Sequence, residues 1–581
     1  MPRRGLTEGK NRNFIFQAGI LAAAGIISSV IGLLYRGPLS GVIGDLGLGY
    51  YQSAYTFYTI ILLISSYSIP SAISKVIAQR LAVKEYRNAH KMFMGSLYYV
   101  LVVGLLASLL LFFGAGIFVK DTAVPVLRVF APTIFFYGIL GVLRGYFQAH
   151  RSMMQTSVSQ IIEQVANAFV SVGAAILLIK HFMGTMEVPA DEGGQITRAV
   201  YGAMGSALGT GAGVLVALIF MLIAYYVSRQ EILDRVAADT HERMEGYGLI
   251  FRTITLTVTP FILSTAIYNL SASINTKLYT DLFPTLLEHF EKAGYMEGFL
   301  GKIRLLPTDH ISLMERWGAF SSKAQIISNI PIRFASAMAS AMIPSIAQLA
   351  AAGERRECRS KIRLAMKVTM LIAIPCAVGL FVFSGPITLL LFPSSAGNLA
   401  VPQHSLMALA LSVIFYSVST LNSSILQGLG KVNTPMWNAG IALIAQTILA
   451  FLLLAFTPLD VYSIAVANTV YSGLIAYLNQ RSVHKAVRYS QEVRRTFFLP
   501  FVASLMMGMG AYGFYRVLLE VTKSPRISVI PAIALAAVLY FIFLLLLQAV
   551  GEHELLALPK GAFIVKVAKK LRLLKVQEPS E

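Results

Sequence analysis

Stretches of about 20 apolar residues recur from Phe14 to Val550, separated by short charged segments, and each is long enough to cross roughly 30 Å of hydrocarbon as a helix. Such a chain uses the bilayer as its solvent. Of its 581 residues 56% are apolar and only 13% charged, about half the charge of an ordinary water-soluble domain. The short alternating strands of a membrane barrel are absent from the pattern. The expected fold is an all-α integral membrane protein with spans at 14–34, 50–74, 92–118, 123–143, 156–180, 199–227, 252–279, 317–350, 364–391, 403–426, 435–457, 461–480, 496–518 and 527–549. The first span follows Arg3, Arg4, Lys10 and Arg12 and runs too far, through Leu34, for the core of a cleaved signal peptide.

Charge then sets orientation. With the N-terminus inside, the segments on that side carry 33 of the 48 Lys and Arg residues, a two-to-one bias in the sense of the positive-inside rule. Fourteen spans return the C-terminus to the inside as well. The net charge of +20 lies in short clusters between spans and not in one soluble domain, so nucleic acid is not expected as a partner.

Two echoes suggest a duplicated six-span unit. Ile69-Pro70-Ser71 closes span 2 and Ile343-Pro344-Ser345 closes span 8; Leu143-Arg144-Gly145 closes span 4 and Leu426-Gln427-Gly428 closes span 10. Their offsets, 274 and 283 residues, nearly agree. Six is even, so the halves would share an orientation about an axis along the membrane normal, with a central cavity between two lobes. The expected organisation is an N-terminal lobe at 1–230, a cytoplasmic linker at 231–251, a C-terminal lobe at 252–482 with an external loop at 281–316, two further spans within 483–550, and a basic amphipathic tail at 551–581. In that tail Phe563, Ile564, Val567, Leu571 and Leu574 alternate with lysines and Arg572, the pattern of an interfacial helix.

A charge deep in a membrane helix costs roughly 2.5 to 3.5 kcal/mol on insertion scales, so one that is retained faces a partner or a wet cavity. Here such charges are mostly positive: Arg36 closes span 1, Lys277 lies near the outer end of span 7, and Lys323 and Arg333 lie in span 8. Span 8 also places Ser322, Gln325, Asn329, Arg333, Ser336 and Ser340 three or four apart, one polar stripe. Gln52 of span 2 and Asn275 of span 7 are candidate supporting groups, although interhelical hydrogen bonding would also account for them. The deep carboxylate is Glu163 on span 5, either an ion-coupling group or a structural partner of a base on a neighbouring helix.

The sign of the cavity bears on the cargo. Exporting a cation against an inside-negative potential is uphill by about 2.3 kcal/mol per charge per 100 mV and calls for coupling carboxylates, in which this chain is poor. A diphosphate leaving the cell moves with the field and wants cationic anchors. Enzyme signatures fail: there is no phosphate-binding G-x-x-x-x-G-K-[ST] loop and no zinc helix, and no catalytic residue, metal site or cofactor is expected. Gly205, Gly209 and Gly213 read as helix-packing residues, and Cys358 and Cys376 as structural.

The segment Arg144-Gly145-Tyr146-Phe147-Gln148, with Met153, Thr156, Ser159-Gln160 and Glu163-Gln164, resembles the span 4 to span 5 signature of the multidrug, oligosaccharidyl-lipid and polysaccharide (MOP) flippase superfamily. Tyr35-Arg36 with Gly44-Asp45, Gly47-Leu48-Gly49-Tyr50-Tyr51-Gln52, and Leu426-Gln427-Gly428-Leu429-Gly430-Lys431 agree. Within it the chain is similar to the polysaccharide-exporter branch of the stage V sporulation protein B and YtgP proteins, relatives of the MurJ lipid II flippases. It departs from the usual pattern at Ala149, Gln155 and Asn167. The resemblance implies two six-helix lobes, alternating access, and cationic residues of spans 1, 7 and 8 facing the cavity, where Arg36, Lys277, Lys323 and Arg333 hold comparable places. Some relatives bind sodium among spans 7, 11 and 12, so Asn468 and Thr469 become candidate ion-coupling residues. The expected function is translocation of an undecaprenyl-diphosphate-linked precursor, first of all lipid II, across the cytoplasmic membrane, driven by a monovalent cation or by the membrane potential. Alternatives are another polyprenyl glycan, a cation-coupled drug exporter, or a polytopic enzyme. Expected partners are the lipid-linked anionic glycan, membrane lipids and the cell-wall or division machinery, with the protein acting as a monomer.

Overall fold

The computed structural model describes residues 23–550, except 68, 121, 151, 240–243, 293–308 and 432, and gives backbone alone for 257–268 and a few further positions. The basic N-terminus, the tail at 551–581 and much of the loop at 281–316 lie outside the described residues. Among the described residues every regular element is helical. In the first half these are α1 (Ala23–Leu34), α2 (Arg36–Leu62), α3 (Ile69–Ala82), α4 (Tyr86–Phe113), α5 (Ala115–Phe118), α6 (Val124–Ala149), α7 (Met153–Met183), α8 (Glu192–Ala237), α9 (Tyr247–Lys277), α10 (Phe283–Lys292) and α11 (His310–Ala319). The second half adds α12 (Gln325–Ala351), α13 (Arg355–Val382), α14 (Ser384–Leu391), α15 (Ala400–Gly428), α16 (Asn433–Phe456), α17 (Val461–Val487), α18 (Leu499–Thr522) and α19 (Pro525–Leu546). Among the described residues ten helices are long and apolar enough to cross a membrane, eleven if α1 and α2, bent by 48°, form one span.

The first span does not end at Leu34 as its apolar run suggests. The chain bends there and stays helical from Arg36, and the break comes at Gly44, whose φ of 70° and ψ of 178° suit a residue without Cβ. Wide π turns interrupt the helical register at Leu63–Tyr67, Leu278–Leu282, Phe320–Ala324 and Arg494–Phe498.

The chain divides into two compact units, Met1–Ser322 and Lys323–Glu581. The division falls inside the helix that runs from His310 to Ala351, whereas the sequence places the lobe boundary in the linker at 231–251. Local packing explains why α9 and α11 cluster with the first unit. A Cβ on Gly49 would come within 2.3 Å of the Met314 carbonyl oxygen and one on Gly318 within 2.0 Å of that of Asp45, so α2 and α11 touch backbone to backbone. Arg80 binds Glu245 at 2.6 Å, the Asn88 amide oxygen accepts from the Glu245 N–H at 3.0 Å, and Asp239 accepts from the Arg87 N–H at 2.8 Å, so the linker is tied to the α3–α4 turn.

Lipid tails offer little drive for helices to associate, so small residues and close van der Waals contact carry the packing. A Cβ on Gly205, Gly209 or Gly213 of α8 would approach within 2.6 Å of Ala175, Ser171 or Glu163 backbone atoms of α7. This is the packing role read from the sequence. The two echoes also have matching contacts. A Cβ on Gly145 would stand 2.8 Å from the Pro70 carbonyl oxygen and 3.3 Å from Ile73 Cβ; one on Gly428 would stand 3.0 Å from the Ile343 carbonyl oxygen and 3.1 Å from Ile346 Cβ. Each unit repeats the same glycine-on-helix notch.

Candidate functional site

Within the first unit Arg36 stands at the α1–α2 bend among the phenols of Tyr35, Tyr51 and Tyr55. Tyr51 and Tyr55 stack at 5.7 Å, Tyr58 stacks on Phe130 at 4.7 Å, and the Tyr51 hydroxyl meets the Thr210 hydroxyl at 3.3 Å. Gln52, one helical position from this wall, is half-buried with its Oε1 shut away from solvent and without a hydrogen-bond partner. Such an atom costs free energy unless something reaches it.

Glu163 is not exposed to a cavity as a lone acid. Its Oε2 accepts from Arg144 Nη2 at 2.8 Å, Arg144 Nε donates to Ser159 Oγ at 2.9 Å, and both charged side chains are largely buried, with 6% and 15% of Arg144 and Glu163 accessible. The α6–α7 hairpin brings these residues together across 19 positions. The geometry is that of a buried ion pair. Breaking one partner of such a pair costs about 3–5 kcal/mol, because the other is left as a buried charge.

At the far end of the same unit, Lys277 Nζ pairs with Asp281 Oδ2 at 2.8 Å and lies 5.5 Å from the centre of the Phe57 ring. The pair spans the π turn, is 40% and 26% accessible, and Asp281 Oδ1 is held by the Thr280 hydroxyl at 2.8 Å. Exposed i,i+4 pairs of this kind contribute about 0.3–0.5 kcal/mol. Asn275, by contrast, is buried. Asp309 caps α11 by accepting from the Ser312 N–H at 3.0 Å, and that bond holds its carboxyl below the ordinary range.

In the second unit Lys323 and the stripe read from the sequence lie in different surroundings. Lys323 lies in the π turn, is 1% exposed, donates to Ser395 Oγ at 2.7 Å and faces the Phe392 ring at 5.8 Å, so it fastens the 393–397 turn and lines no open surface. Gln325 and Asn329 are half-buried and Arg333 is exposed. A π turn adds a residue to its turn and so rotates the helix face on its N-terminal side relative to the face on its C-terminal side. The stripe therefore begins at Gln325.

Asn468 accepts from Gln446 Nε2 at 2.8 Å, and the Thr469 hydroxyl donates to the Ala408 carbonyl at 2.9 Å. A further amide layer joins Asn479 to Asn438, Ser419 and Ser423 at 2.9–3.3 Å. These are interhelical bonds, the plain role of polar residues in membrane spans. Among the described residues no three His, Cys, Asp or Glu side chains are grouped to hold a metal ion. Sequence reasoning missed Arg144 and Asp281 as partners. Asp281, four residues after Lys277, was visible as an i,i+4 pair; Arg144 needed the hairpin.

Repeated apolar helices, with buried charge concentrated at a few helix positions, define a multi-pass membrane protein. The sequence model described as "Polysaccharide biosynthesis protein" matches residues 16–350, more than half of the chain, and the chain belongs to this family. A second, described as "Lipid II flippase MurJ", matches residues 319–530. Among curated proteins of Bacillus subtilis (strain 168), the chain is 24% identical to "Lipid II flippase MurJ" over 84% of its own length and 86% of the relative's. It is 21% identical to "Stage V sporulation protein B" over 93% and 96%. Among solved structures it shares a fold with "Lipid II flippase MurJ, inward closed conformation", TM-score 0.58 at 14% identity, covering 91% of this chain and 97% of that one. It does so too with an inward-facing multidrug resistance MATE family transporter of the MOP superfamily, TM-score 0.59 at 14% identity, covering 79% and 95%. Of these, the two MurJ proteins are named as lipid II flippases and the MATE protein as a transporter.

Proposed function

We propose that this protein moves an undecaprenyl-diphosphate-linked cell-envelope precursor, lipid II foremost, from the inner to the outer leaflet by alternating access. The observation that carries the reading is Arg333, a guanidinium exposed on α12 in line with Gln325 and Asn329. A guanidinium presents a fork of N–H donors that matches the oxygens of a phosphate. Arg36 and Lys277 supply further cationic anchors in the first unit. The deep carboxylate that a cation exporter would use, Glu163, is engaged by Arg144. Export of a diphosphate down the membrane potential needs no separate coupling ion.

The test is native mass spectrometry of the protein purified from a membrane containing lipid-linked glycans. Co-bound polyprenyl diphosphates, lost in Arg333→Glu, support the reading. Retention of neutral or cationic amphiphiles in their place overturns it, and retention of a different polyprenyl diphosphate reassigns the glycan alone.

A further inference from the structure

Two recesses lie side by side at the Lys277 end of the first unit, which the Lys and Arg count assigns to the outer face. One, of about 520 Å³, is polar and lined by Lys120, Thr122, Lys277, Asp281 and His310. The other, of about 550 Å³, is apolar and lined by Phe57, Leu270, Ile274, Leu278 and Leu282. Lys277 and Asp281 belong to both, so their ion pair is the wall between them. Among the described residues lining the polar recess are two ammonium groups, an imidazole and one carboxylate, and the Glu192 and Asp309 carboxylates also act on that imidazole. Lys277 also points its ammonium within 3.4 Å of the Ile117 carbonyl, so it can turn between acceptors without leaving the recess.

We infer that this double recess is an exit subsite for the diphosphate and adjoining isoprenoid chain of the cargo, and that Asp281 is a built-in counter-ion that takes Lys277 back when the diphosphate leaves. The inference rests on the flippase reading. Its chemistry comes from the parts. A water-exposed Lys–carboxylate pair is weak, and a diphosphate makes stronger charge-assisted bonds to the same ammonium while reaching Lys120 as well. The chain attached to that diphosphate has the apolar recess beside it. A site of bare lysines would hold the headgroup; a resident carboxylate competes for Lys277 and shortens the stay. The Thr280 hydroxyl, which lies 2.8 Å from the other Asp281 oxygen and 2.9 Å from the Thr276 carbonyl, helps to keep the carboxylate at this place.

The probe is farnesyl diphosphate, with inorganic pyrophosphate and farnesol as half-ligands, titrated against the full-length protein in nanodiscs. The wild type is expected to bind farnesyl diphosphate more tightly than either half. Asp281→Asn should tighten it on the order of tenfold and slow the release step of lipid flipping in proteoliposomes, whereas Lys120→Ala should weaken it. Leu282→Trp, which fills the apolar recess, should bring farnesyl diphosphate down to the level of pyrophosphate. Thermal unfolding of each variant reports folding, and the Leu282→Trp and Lys120→Ala arms stand if Asp281→Asn fails to fold. Unchanged affinity in Asp281→Asn, or equal affinity of Lys120→Ala and wild type, overturns the subsite. Wild-type protein that binds the probe in this pattern but flips no lipid-linked glycan leaves the subsite standing and removes the flippase reading instead.

Discussion

The two units solve the same problem with different chemistry. Each closes a helix end with a glycine notch, Gly145 against Pro70 and Ile73 in the first, Gly428 against Ile343 and Ile346 in the second. Beside that shared notch the first unit carries Arg144, ion-paired to Glu163, and the second carries Gln427, which is exposed. The 283-residue offset that relates Arg144 to Gln427 also carries Glu163 to Gln446, fully buried and bonded to Asn468. Where one half uses a charged clip, the other uses neutral amides. A charged clip is rigid and severe to break; an amide in a membrane helix finds new partners easily. The difference predicts that the first unit depends on a single pair and the second on many small ones.

The largest effect should come from Glu163→Ala. It strands Arg144 in a dry site and should lower stability by about 3–5 kcal/mol, read as a fall in the unfolding midpoint in detergent. The double variant Arg144→Leu/Glu163→Leu should cost less than Glu163→Ala alone, and the comparison breaks if it costs more. Asp309→Ala, which removes a cap in water, should destabilise by about 1 kcal/mol. Because the Ser312 N–H holds the Asp309 carboxyl below its ordinary value of 3.8, the cap is fully present above that pH. It is lost as pH falls through the lowered value, so the wild type and Asp309→Ala should converge in acid. Gln446→Leu, the counterpart of Glu163, should cost only about 0.6 kcal/mol, and a loss as large as that of Glu163→Ala would erase the contrast between the units. Smallest is Lys277→Ala, whose exposed pair should contribute less than about 0.5 kcal/mol to stability even if transport suffers.

Much of this molecule was legible in the sequence because hydrocarbon leaves few choices. Apolar runs of the right length became helices, and Gly205, Gly209 and Gly213 sit where backbones touch. The two glycine notches were legible as well, since a notch that must admit a neighbouring backbone keeps its glycine. The π turn at Phe320–Ala324 was not. The sequence groups Lys323 and Arg333 as cavity cations, whereas the first is buried against Ser395 and Phe392 and the second is exposed. Arg36 was hard to place for a similar reason: the end of an apolar run looked like the end of a helix, yet the backbone bends by 48° and continues to Gly44. The Arg144–Glu163 pair needed a hairpin geometry that spacing alone does not supply.

Central to the flippase reading is an exposed guanidinium that receives phosphate. Reconstituted Arg333→Glu, compared with the wild type in a headgroup-accessibility assay on liposomes loaded with a polyprenyl-diphosphate glycan, tests it most directly. The expected result is loss of transbilayer movement with unfolding temperature and membrane insertion unchanged; movement at the wild-type rate would contradict the account.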